Sequence, residues 1–127
     1  MKPYIHSRNS VKRYGGEIED YMKIHDWFDS TKAAYADFGH RAILHHTFGI
    51  YLCEQVFGTT LTNSDGKVLS VRDIAEDHVK EDCGGKIPTI QEWLQSIEPE
   101  PWMLGVGQKA FAKKMGLVLN IKRQREN

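Results

Sequence analysis

Apolar residues return at helical spacing through the first half of this chain. Between Glu17 and Phe28 they are Ile18, Tyr21, Met22, Ile24 and Phe28, which predicts an amphipathic helix. Before it, Pro3–Tyr14 reads as an opening helix that Gly15-Gly16 stops. Asp29 and Ser30 can cap whatever follows. The segment Ser30–Phe57 contains no proline and predicts a helix of up to 28 residues, with Gly39 as its break or kink. From His40 onward Ala42, Ile43, Leu44, Phe48, Ile50, Tyr51, Leu52, Val56 and Phe57 cover nearly the whole helical circumference. A helix that is apolar all round is expected to be central and buried.

Beyond Gly58 the period changes. Thr59–Thr62 and Lys67–Leu69 flank Asn63-Ser64-Asp65-Gly66, the pattern of a short β-hairpin. Ser70-x-x-Asp73 then reads as a capping box opening a helix that ends at Gly84-Gly85. A second box, Thr89-x-x-Glu92, opens a short helix to about Ile97, ended by Pro99 and Pro101. Gly107–Met115 is expected as a last helix, and Leu117–Asn127 as strand or tail. The fold class is therefore mainly α: a helical bundle around a central buried helix at about 40–57, with one short hairpin. Residues 1–104 are expected to form a single helical domain, followed by a C-terminal helix and basic tail over 105–127.

Composition narrows the class. The chain has 127 residues, 40% of them hydrophobic, and 17 basic against 17 acidic groups, which excludes disorder, collagen and coiled-coil rods. No apolar run approaches the roughly 18 to 20 residues that span a bilayer. Met1–Arg13 has no apolar signal-peptide core, and the two cysteines, Cys53 and Cys83, are too few for a disulfide framework. A cytoplasmic location is expected. The zero net charge conceals a polarity: residues 1–108 carry 11 basic and 16 acidic groups, whereas 109–127 carry 6 and 1. That polarity suits self-association as a homodimer, and the basic tail is a thin footprint for nucleic acid, so neither nucleic acid nor membrane is an expected partner.

The candidate chemistry lies with six histidines. His45 and His46 fall on the expected central helix, about 100° apart, on either side of a small-residue stripe of Ala42, Gly49 and Cys53. A buried imidazole needs partners for both nitrogens, and carboxylates, carbonyls or a metal ion can supply them. His25-Asp26 and Asp29 lie on the second helix. His78 and Asp82 are spaced i,i+4 and share one helix face. Asp37 and His40 precede the central helix, and Arg41 and Arg72 could hold an anionic group. The candidate polar cluster is thus His25, Asp26, Asp29, Arg41, His45, His46, Arg72, His78 and Asp82. Within it His25, His45, His46, His78 and Asp82 are the candidate ligands for zinc, manganese, iron or nickel. Against a metal, no H-x-x-x-H or H-E-x-x-H occurs, so hydrogen-bonded structural histidines are the favoured reading. Cys53 is expected as inert packing, Gly105-x-Gly107 lacks the context of a phosphate loop, and Trp27, Phe28, Trp93 and Trp102 are expected as packing residues.

Two resemblances follow from these residues. The His25-Asp26 dyad is similar to that of HD-type phosphohydrolases, with their H…HD…D metal pattern. By that likeness His6 would be the first ligand and Asp73, Asp77 or Asp82 the last. More extensively, the chain resembles a family of small bacterial and phage proteins, found among mobile-element genes, with no assigned activity. The likeness lies in Ile24-His25-Asp26-Trp27-Phe28-Asp29-Ser30-x-Lys32, His40-Arg41-Ala42-x-x-His45-His46, Cys53-Glu54-x-x-Phe57-Gly58 and Asn63-Ser64-Asp65-Gly66. It continues through Val71-Arg72-Asp73-Ile74, His78-Val79-x-Glu81-Asp82, Ile87-Pro88-Thr89 and Trp93-Leu94, covering roughly residues 14–103. It implies a self-contained domain. The leading functional expectation is a binding or adaptor protein with a buried His/Asp/Arg network; the alternative is a divalent-metal-dependent, HD-like hydrolase, and a nucleic-acid accessory role ranks last.

Overall fold

The structure, a computed structural model, describes residues 1–116. The chain divides into two compact units, Met1–Gln95 and a second beginning at Ser96. The expectations for Leu117–Asn127, including the basic groups Lys122, Arg123 and Arg125, lie outside the described residues.

The first unit is mainly helical with one two-stranded hairpin, in the order α1 (Pro3–Tyr14), α2 (Glu19–Asp29), α3 (Arg41–Leu44), α4 (Thr47–Phe57), β1 (Thr60–Thr62), β2 (Val68–Ser70), α5 (Val71–Asp82) and α6 (Ile90–Leu94). Short 3-10 turns at Ser30–Ala33 and Phe38–His40 connect α2 to α3. In the core, Tyr21, Ile24 and Phe28 of α2 and Val71, Ile74, Ala75 and Val79 of α5 pack with Ile50 and Cys53 of α4 and with Leu61 and Leu69 of the hairpin. Burying these apolar surfaces is the main favourable contribution to folding, about 25 cal/mol per Å² removed from water.

The hairpin fixes the corner between α1 and α2. Its register pairs Thr60 with Ser70, Leu61 with Leu69 and Thr62 with Val68, so only the two leucines face inward. In the turn, Asn63 Oδ1 accepts from the N–H groups of Asp65 and Lys67, and its amide donates to the Tyr14 carbonyl and the Tyr21 hydroxyl. The Asp20 carboxylate accepts from the N–H groups of Glu17 and Ser64 and from the Ser64 hydroxyl. Gly16, at φ +73°, completes the corner: a Cβ there would lie 2.5 Å from Asp20 Oδ2.

The expected helix over 30–57 is interrupted close to Gly39, where a break or kink was expected, but its length and its single break are corrected. Residues 34–37 are not helical, and a second, sharper break falls at His45 (φ −82°, ψ 68°) and His46 (φ −162°, ψ 175°). The chain turns back over Gly49 so closely that a Cβ there would lie 1.7 Å from the Leu44 carbonyl oxygen. Backbone groups freed at the break find partners: His46 N donates to Leu44 O, Thr47 N to Pro88 O, and the Trp93 indole to His45 O. His46 becomes the N-cap of α4, its Nδ1 accepting from Gly49 N at 3.0 Å and its Nε2 donating to Ile43 O at 2.9 Å. Nor is α4 buried all round. Phe48, Tyr51 and Val56 are 50%, 52% and 57% exposed, and only Gly49, Ile50 and Cys53 are buried. A unit this small has too few elements to cover every face of one helix.

The Thr89–Glu92 capping box forms as expected, whereas Ser70 occupies the N-cap of α5 without a side-chain cap bond. In the second unit, α7 (Pro101–Leu104) ends at Gly105 in the left-handed region, and the chain is helical again over 108–116. Among the described residues no helix is long and apolar enough to cross a membrane.

Candidate metal centre

Two helices carry the same spacing. His25 and Asp29 stand one turn apart on α2, as do His78 and Asp82 on α5, so each helix directs an imidazole and a carboxylate from a single face. Because α2 and α5 pack on each other, the two pairs meet inside the unit. The break between α3 and α4 turns His45 into the same space, and α1 adds His6 and Ser10, all fully buried.

Asp82 is the hub. Its Oδ2 lies 3.0 Å from His45 Nε2 and 3.2 Å from His78 Nε2. Its Oδ1 lies 3.2 Å from His6 Nε2 and 3.3 Å from the Met1 amino group. Asp29 Oδ1 completes the first set, 3.4 Å from His78 Nε2 and 3.9 Å from His45 Nε2. One ligand atom each from Asp29, His45, His78 and Asp82 falls within 4.8 Å of all the others, a spacing suited to one shared ion. Several of these contacts are close without being aligned. Among the described residues His78 Nε2, His6 Nε2, His45 Nδ1 and both Asp29 oxygens are buried and make no hydrogen bond of acceptable geometry. Unsatisfied polar groups at this depth are costly, and so many in one place is unusual.

The outer nitrogens of two imidazoles are held. Ser10 gives its hydroxyl proton to the His6 carbonyl (3.1 Å), so His25 Nε2, 2.8 Å away, must donate to Ser10 Oγ. A neutral His25 therefore accepts at Nδ1, and His78 Nδ1–H donates to it at 2.9 Å. Burial and the neighbouring His78 and His6 push the His25 pKa down to about 2, consistent with that neutral state. In the same way His6 Nδ1 meets Glu81 Oε1 at 2.8 Å, while Asn9 and Arg13 also bind Glu81.

The electrostatics favour a cation. Burial opposes charge on Asp82 and Asp29, yet the surrounding imidazoles hold both carboxyls below the usual range, Asp82 far below it. Burial likewise opposes charge on His78, but Asp29 and Asp82 outweigh it and raise its pKa. For His45 burial wins, and the pKa falls.

Of the four residues, Asp82 also lines a neighbouring cavity. This cavity, of about 390 Å³, is lined by Asp82, Arg41, Cys83, Lys86, Trp93 and neighbouring residues. Arg41 Nη1 donates to the Asp82 carbonyl at 3.2 Å, and Lys86 pairs with Glu92.

Of the residues expected from sequence, His25, Asp29, His45, His78 and Asp82 converge, and Arg41 lies beside them. His46 does not; it caps α4. Asp26 is exposed, so the His25-Asp26 dyad does not act as a unit and the HD-type pattern is not reproduced; Asp29, one turn later, takes the inward position. Arg72 is exposed and pairs with Glu76 at 3.0 Å. His40 is buried against the Thr31 hydroxyl at 2.8 Å. Burial raises the Cys53 thiol to about 12, in keeping with inert packing. Sequence reasoning missed Ser10 and Glu81 and weighed His6 only through the HD likeness. The available signal was α1 itself, whose buried face holds His6, Ser7 and Ser10 in place of an apolar stripe.

Residues 1–103 match the family described as a domain of unknown function (DUF6915), and the chain belongs to it. No curated protein and no solved structure matches the chain.

Proposed function

We propose that this domain holds a divalent transition-metal ion between α2, α5 and the α3–α4 break, with Asp29, His45, His78 and Asp82 as ligands. The ion serves to hydrolyse a small anionic substrate that enters through the Arg41 cavity. One observation carries the reading: His78 faces two carboxylates with Nε2 while Nδ1–H is committed to His25. His78 Nε2 thus faces two negative groups, and a cation must stand there: a second proton on the ring, which the raised pKa of His78 favours, or a metal ion, whose double charge matches both carboxylates where one proton does not. Such a histidine, its far nitrogen fixed by a partner, is how proteins present imidazole to a metal. Two imidazoles and two carboxylates suit zinc, manganese, iron or nickel. A bound ion of this kind lowers the pKa of its water from about 15.7 toward 7 and supplies hydroxide at neutral pH. Arg41, anchored on the Asp82 carbonyl, is placed to hold a phosphate or carboxylate group.

The test is metal content and turnover. After incubation with zinc or manganese and dialysis, the full chain is expected to retain at least one equivalent, and the double variant Asp29→Asn with His78→Gln none. A wild-type chain that emerges metal-free overturns the reading. The loaded protein is expected to cleave p-nitrophenyl phosphate or its diester, with Arg41→Met raising KM about tenfold or more for the loss of a charged hydrogen bond. Loaded protein inert toward both esters contradicts the hydrolytic half.

An adaptor or homodimer role draws on a separate surface, the outer face of α4, where exposed Phe48 and Tyr51 stack at 5.8 Å. Sedimentation of Tyr51→Glu beside wild type tests it; equal monomeric masses contradict self-association. The motif resemblance supports a bacterial or phage mobile-element setting, and reduced Cys53 and Cys83 fit a cytoplasmic location.

A further inference from the structure

The proposed ion uses only one oxygen of Asp82, and the opposite oxygen has a buried environment of its own. His6 is fully buried on α1, its Nδ1 2.8 Å from Glu81 Oε1. Glu81 is held in turn by Arg13 and by Asn9 at 3.2 Å, so it stays ionised and accepts the His6 Nδ1 proton. The remaining nitrogen, Nε2, lies 3.2 Å from Asp82 Oδ1 and, fully buried, has no aligned partner among the described residues. This repeats, on the other side of one carboxylate, the arrangement at His78. The Met1 amino group lies 3.3 Å from the same oxygen, and a second ion would take its place there. The His6 and His78 rings stack with centroids 3.8 Å apart, which sets the two presented nitrogens side by side along the Asp82 carboxylate.

We infer that Asp82 bridges two divalent cations: the first held through Oδ2 with His45, His78 and Asp29, the second through Oδ1 with His6. The inference rests on the single-ion reading above and deepens it. With a lone imidazole and a shared carboxylate, the second site is the weaker and completes its coordination with water. The Glu81–His6 contact orients its imidazole as His25 orients His78. Paired ions on a shared carboxylate are the arrangement that clamps both attacking and leaving oxygens in phosphoester hydrolysis.

Manganese(II) alone is the probe, titrated into the full chain and followed by electron paramagnetic resonance and by equilibrium dialysis. Two equivalents are expected to bind in separable steps, with the single-ion signal giving way to the multiline spectrum of an exchange-coupled pair at the second. His6→Gln is expected to retain the first equivalent and lose both the second and the coupled spectrum. Glu81→Gln, which still accepts from His6 and so spares the fold, is expected to weaken only the second step, by about 10- to 100-fold. One equivalent in wild type, or a coupled spectrum that survives in His6→Gln, overturns the two-ion inference and leaves the single-ion reading standing. No equivalent at all overturns both.

Discussion

His25 Nδ1 lies 2.9 Å from His78 Nδ1, and the proton between them belongs to His78 because neutral His25 carries its one ring proton at Nε2, where it donates to Ser10 Oγ. The consequence reaches from α1 to the ligand set: a serine hydroxyl, through one neutral imidazole, decides which nitrogen His78 offers to Asp29 and Asp82.

Ser10→Ala removes that instruction. His25 is then free to donate from Nδ1, which turns His78 round electronically and places a proton where the metal lone pair should be. Zinc affinity, read by competition with a chromogenic chelator, is expected to fall about 10- to 100-fold. Urea unfolding of the metal-free protein is expected to lose about 1–3 kcal/mol for the unpaired nitrogen. Unchanged zinc affinity shows that His78 is oriented by other means.

Gly49→Ala tests the break between α3 and α4. The new methyl would lie 1.7 Å from a backbone oxygen that cannot swing aside, so the turn carrying His45 must shift. A loss of at least about 2 kcal/mol in chemical denaturation is expected, with metal binding impaired as well. A variant as stable as wild type, binding zinc normally, contradicts this close packing.

That break also shows where sequence reading stopped. The spacing of His25 with Asp29 and of His78 with Asp82 was legible, since one helical turn places both groups on one face. The hairpin and the Thr89 box were legible from turn and cap chemistry. The interruption at His45 and His46 was not, because its backbone groups are satisfied by Pro88 and Trp93, more than forty positions away. Local propensity saw an uninterrupted apolar run, and tertiary partners overruled it. Asp26 was misplaced for a related reason: an adjacent His-Asp pair points in two directions on a helix, and only His25 faces inward.

Asp20→Ala probes the hairpin corner through pH. The N–H groups of Glu17 and Ser64 and the Ser64 hydroxyl hold the Asp20 carboxyl below its ordinary value of 3.8. Its contribution is complete above that value. It is lost as pH falls toward the lower folded value, because the unfolded chain binds the proton first. Wild type is therefore expected to exceed the variant in urea midpoint by a constant margin near neutrality, a margin that shrinks below about pH 4. A margin independent of pH down to 2 assigns the effect to something other than the carboxylate.

Metal removal gives a further prediction. A ligand bound only by the folded state adds about 4 kcal/mol when present at a thousand times its dissociation constant. Zinc is thus expected to raise the unfolding midpoint in a concentration-dependent way, and a chelator to reverse it. A midpoint indifferent to zinc contradicts binding to the native fold.

The most direct measurement is zinc-edge X-ray absorption on the full chain loaded with one equivalent. Asp29, His45, His78 and Asp82 as ligands, with the one water that hydrolysis requires, predict five nitrogen and oxygen neighbours at about 2.0–2.2 Å, two of them showing imidazole scattering, and no sulfur despite Cys83 in the adjoining cavity. A spectrum of hydrated zinc without imidazole, or one dominated by sulfur, would contradict it.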